Sequence, residues 1–126
     1  MDLSREHFLK TPVANLTPVE IPEFGGTVYL RAPSAFEMDS WDKEQLRRKA
    51  DNNKHLHNLR TRVAIFLCCD KDGNKLFTGA DEDALSHQPT AALDRILKAA
   101  RPLLGWSDEV TEKNSETTTK DDSDTD

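Results

Sequence analysis

Cysteine is nearly absent from this chain: it has two, Cys68 and Cys69, and they are adjacent. Neighbouring residues rarely meet disulfide geometry, and a single pair cannot complete a zinc site, so neither staple is expected. Long apolar runs are missing too. No segment approaches the roughly 20 apolar residues of a membrane-spanning helix, and no secretory leader pattern is present. The expectation is a soluble, cytosolic chain without membrane contact, its cysteines serving as small core residues at a helix end. Glycine is sparse, and Gly25-Gly26 stands alone with no following Gly-Lys-Ser/Thr, so no phosphate loop forms.

Net charge is also missing where a nucleic-acid binder would need it. The formal charge is −6. Residues 107–126 carry eight acids against Lys113 and Lys120, which accounts for all of it. The other residues hold 15 acids and 15 bases, and a neutral body lacks the clustered positive charge that phosphate contacts require. The bases are unevenly placed: Lys43, Arg47, Arg48, Lys49, Lys54, Arg60 and Arg62 crowd together, with His55 and His57 among them. Asp39, Asp42, Glu44 and Asp51 are interleaved, so a solvated helix face is expected, with a docking site for an acidic partner as the sharper alternative.

Catalytic and metal chemistry find little support. Asp70-Lys-Asp-Gly-Asn74 places its glycine too early for a calcium loop of the EF-hand kind and reads as an ordinary turn. His55 and His57 diverge by about 200° on a helix and cannot share an ion there. Cys68 and Cys69 lie at the end of a buried stripe, away from any histidine base. No catalytic residue, cofactor or metal is expected, and the chain reads as a non-enzyme.

What is present is one domain's worth of alternating pattern. At 126 residues there is room for a single core. Val19 and Ile21 share one strand face, Val28 and Leu30 share the next, and Tyr29 and Arg31 point the other way. Gly25-Gly26 lets the chain reverse between them, giving a β-hairpin. Pro33-Ser34 opens a polar helix to about Asn52, with Pro33 in its first turn; Phe36, Met38, Trp41 and Leu46 are its few apolar residues. Leu56, Leu59, Val63, Phe66 and Leu67 fall on one face of a central helix beginning at His55. Lys75–Thr78 reads as extended. An acidic helix over Ala80–Ser86 is capped near Thr78 or Asp81. The last helix starts at Pro89-Thr90, buries Leu93, Ile96, Leu97, Ala100, Leu103 and Leu104, and ends or kinks at Pro102. The expected class is α+β, mainly helical: a hairpin packed on three to four helices over 17–106. An arm over 1–16, carrying Phe8-Leu9, precedes it, and a disordered acidic tail over 107–126 follows.

The run Val19-Glu-Ile-Pro-Glu-Phe-Gly-Gly-Thr-Val-Tyr-Leu-Arg31 resembles the opening of tail assembly chaperones from long-tailed bacteriophages. Val63-Ala-Ile-Phe-Leu67, Asp72-Gly73, Leu76-Phe77-Thr78 and Asp81-Glu-Asp-Ala-Leu85 follow in the order found there, and Lys113-Asn114 fits the family's polar end. Ala32-Pro33 departs from the usual pattern. The resemblance implies a factor of the host cytoplasm, absent from the finished virion, that binds the tape-measure protein and helps recruit tail-tube subunits. It also implies a longer form of the same chain made by ribosomal frameshifting, and self-association. On that reading the partner-binding candidates are Tyr29, Arg31, Phe36 and Trp41, taken as exposed groups beside the hairpin and first helix. For Phe36 and Trp41 the plainer alternative is that they cover the hairpin. A structural tail-completion or connector protein of the virion is the competing function, and a thiol-dependent enzyme a more distant one.

Overall fold

A computed structural model describes residues 1–10 and 15–106. Among these the elements are α1 (Arg5–Leu9), β1 (Leu16–Ile21), β2 (Gly26–Arg31), α2 (Ala35–Ala50), α3 (Leu59–Leu67), β3 (Cys68–Cys69), α4 (Glu82–Ser86) and α5 (Thr90–Leu103). The expected tail over 107–126, and residues 11–14 of the expected arm, lie outside the described residues. No described helix is long and apolar enough to cross a membrane.

The strands form an antiparallel sheet in the order β1-β2-β3, with Val19 opposite Val28 and Leu30 opposite Cys68. Alternation works as the sequence predicts: Val19, Ile21 and Leu30 are buried on one face, which α5 covers, with α3 packed on α5. The reversal takes four residues rather than the paired glycines alone. Pro22–Phe24 form a 3₁₀ turn, Gly25 takes the left-handed conformation (φ 69°), and Gly26 already belongs to β2. Only Gly25 needs glycine's freedom.

Helix α2 begins two residues later than Pro33 implies, because Ser34 and Glu37 cap it reciprocally. The Ser34 hydroxyl accepts from the Glu37 N–H at 3.1 Å, and the Glu37 carboxylate accepts from the Ser34 N–H at 2.8 Å. Pro33 therefore lies outside the helix. Asn52 and Asn53, both at φ 58°, end the segment. A third left-handed asparagine, Asn58, starts α3, so the helix predicted from His55 begins only at Leu59. Lys54–Leu56 instead make a 3₁₀ turn, and Leu56, expected in the core, is 64% exposed. Val63 and Leu67 are buried as expected, with Leu59 and Phe66 half-buried against the core.

Cys68 and Cys69 are buried, but as a short third strand paired with Tyr29 and Leu30 rather than as a helix end. Burial pushes the Cys68 thiol up to about 12. The Asp70 carboxylate accepts the backbone N–H groups of Asp72 (2.8 Å) and Asn74 (3.0 Å), which holds its own turn. Those hydrogen bonds, that of Asn74 first, keep its pKa below the usual carboxylate value. Of Lys75–Thr78 only Lys75 pairs, in a bridge to Cys69. Thr78 caps the turn leading into α4. Helix α5 runs one residue past Pro102; the Trp106 N–H then reaches back to the Arg101 carbonyl at 2.8 Å across Gly105 (φ 77°).

Candidate functional site

The four residues singled out from the sequence are not alike in the fold. Trp41 is buried: its ring stacks on Phe66 at 5.0 Å between centroids and 11° between planes. The Arg62 guanidinium lies 5.4 Å from the Trp41 ring. Arg62 is itself buried and donates to the His55 carbonyl (2.6 Å), the His57 carbonyl (3.0 Å) and the Gln45 side chain (2.6 Å). Burial, then the nearby Arg48, lowers its pKa. Trp41 thus fastens α2 to α3. Tyr29 and Arg31 are half-buried on the sheet face turned from the core, and Arg31 pairs with Glu37 at 3.1 Å. Phe36 alone stands free, 81% exposed.

The basic cluster also resolves locally. Glu44 takes both Arg47 (2.6 Å) and Arg48 (2.9 Å), Lys54 meets Asp51 (3.4 Å), and Arg60 meets Asp94. Arg47, then Arg48, draw the Glu44 carboxyl down to about 2. Most of this charge is paired at the surface, as a solvated helix face would be.

The arrangement that stands out lies elsewhere. An apolar groove of about 190 Å³ opens where the hairpin turn, the segment before α4, and helices α3 and α5 converge. Its floor is Ile21, Ala64, Cys68, Ala92, Leu93 and Ile96, all buried core residues. Its lips are Phe24 and Leu76, which remain 60% and 46% exposed, with Phe77 and Leu85 between them and the floor. Each lip has a local cause. The 3₁₀ turn and left-handed Gly25 turn Phe24 outward, while Leu76 is held by its N–H donating to the Cys68 carbonyl (3.1 Å). Across the hairpin end, Arg95 of α5 clasps Glu23 with bonds of 2.9–3.2 Å, fixing the turn beside the groove.

Chemically the groove offers shape and apolar surface. Its lining is almost wholly hydrocarbon with Gln88 at the edge, and it contains no cluster of metal-ligating side chains among the described residues. A cavity of about 150 Å³ admits a benzene ring, whereas sites for drug-sized ligands start near 300 Å³. This groove therefore suits one or two large side chains. No periodic pattern marks it, because Phe24 and Leu76 are isolated apolar residues in the sequence.

No protein-family model matches the chain, and no curated protein matches it. Among solved structures it is similar to the tail assembly chaperone of bacteriophage HK97. Identity is 27%, the match covers 82% of this chain and 94% of that one, and the TM-score is 0.53. The resemblance to tail assembly chaperones carried by the hairpin and the Leu76–Leu85 region therefore extends to the fold.

Proposed function

We propose that this chain is a tail assembly chaperone of a long-tailed bacteriophage, acting by binding rather than catalysis. The observation that carries the reading is the match to the HK97 chaperone over most of both chains. In finer detail, the chain binds the tape-measure protein in the host cytoplasm, shields its apolar segments, and helps gather tail-tube subunits around it. It then leaves before the virion is complete. The groove between Phe24 and Leu76 supports this, since it presents exposed apolar surface directly over the core. Self-association and a longer frameshifted form belong to the same reading.

The competing reading, a tail-completion or connector protein, differs in where the chain ends up. Mass spectrometry of purified particles separates the two. A chaperone is detected in infected cells and is missing from virions; stoichiometric recovery from virions would replace it with the connector.

A further inference from the structure

Resting on the chaperone reading, we infer that the groove between Phe24 and Leu76 takes an amphipathic helix whose bulky apolar anchor is flanked by Lys or Arg. Three observations identify this occupant. The volume, about 190 Å³, fits a leucine or an aromatic ring but not an extended ligand. The hairpin contributes side chains of Ile21 and Val28 to the lining, and the exposed surface of the groove is wholly apolar, so it offers knobs and holes rather than backbone to pair with. That suits a helix presenting anchors at i and i+3 or i+4.

The third observation is charge. Leu85 in the wall belongs to α4, and Asp81, Glu82 and Asp83 stand at the start of that helix. None of the three forms an ion pair among the described residues: Asp81 accepts the Thr78 N–H (2.9 Å) and Glu82 accepts from Asn58 (3.0 Å). Arg62 lies within electrostatic reach of Glu82 but spends its donors on the His55 and His57 carbonyls and Gln45, and Arg95 on α5 is held by Glu23. The groove is thus apolar at its floor and negative along one rim. Such a rim favours cationic flanks and repels anionic ones.

The test uses the full chain and two fluorescent, alanine-based helical peptides. Both carry leucines at i and i+4; one has lysine flanks and its twin has glutamate flanks. Binding is read by fluorescence anisotropy at low and high salt. The lysine peptide should bind at least about tenfold more tightly than the glutamate peptide, and added salt should narrow the difference. Leu76→Ser and Phe24→Ser should each weaken the lysine peptide about tenfold, and Asp83→Lys should reduce the charge preference while leaving the fold unchanged. Circular dichroism confirms that each variant is folded. Equal binding of the two peptides, or undiminished binding to Leu76→Ser, would overturn the inference. So would tighter binding after Phe8→Ser and Leu9→Ser, since the chain's own α1 would then be the occupant. Solubilisation of the tape-measure protein is scored separately. If it succeeds without any peptide preference, the chaperone reading stands and this inference falls; the reverse result separates them the other way.

Discussion

Trp41 shows how one residue can be read correctly as costly to leave wet and still be misplaced. Its helix is mostly polar, so an exposed aromatic looked like a binding group. The missing term was Phe66, a half-buried residue 25 positions on in sequence, whose ring gives Trp41 a stacking partner. Arg62 completes the arrangement, its charge satisfied by two backbone carbonyls and Gln45. Trp41→Ala should therefore cost about 3–5 kcal/mol in urea unfolding and leave Arg62 without its aromatic cover. Phe36→Ala, at a position 81% exposed, should change stability by less than about 0.5 kcal/mol. Comparable losses at the two sites would contradict the assignment of Trp41 to the core.

At the scale of elements, whatever depended on a repeating pattern was legible. The period-2 faces of β1 and β2 and the apolar stripe of α5 are where the sequence puts them, because each repeats over several residues. What failed was set by single backbone choices. Asn58 in the left-handed region resets the helix phase, so Leu56 turns outward although it fits the stripe on paper. Cys68-Cys69 is too short to show any alternation, and its strand character comes from its pairing with β2 on one side and Lys75 on the other. The groove was illegible for a related reason: it is assembled from separate segments, and its lips repeat with nothing. The hairpin turn offers a sharp check. Gly25→Ala forces a side chain into a positive-φ position and should cost about 1 kcal/mol, although nothing lies within 4 Å of the new methyl. Gly26→Ala, in open space and at an ordinary strand angle, should be near neutral. Thermal melts of the two variants distinguish them, and equal losses would mean that the reversal uses both glycines.

Among the described residues, the molecule combines a buried core with an open apolar groove, and several of its surface charges are paired. Glu37 illustrates how the pairing responds to acid. The Ser34 N–H, then Arg31, hold its pKa below the ordinary 4.5. Its contribution is therefore complete above about pH 4.5 and fades as the pH falls through the lower folded value. The groove does not depend on that titration; its floor is hydrocarbon, and only its rim is charged. On the proposed reading, a groove of this size binds its partner without burying the large, permanent interface of an obligate complex.

The most direct measurement of that account is co-expression with the tape-measure protein of the same phage, followed by fractionation and affinity purification of this chain. With the native sequence the tape-measure protein should stay soluble and co-purify. With the folded Phe24→Ser, Leu76→Ser double variant it should return to the pellet. A tape-measure protein that precipitates equally with and without the native chain would contradict the chaperone function.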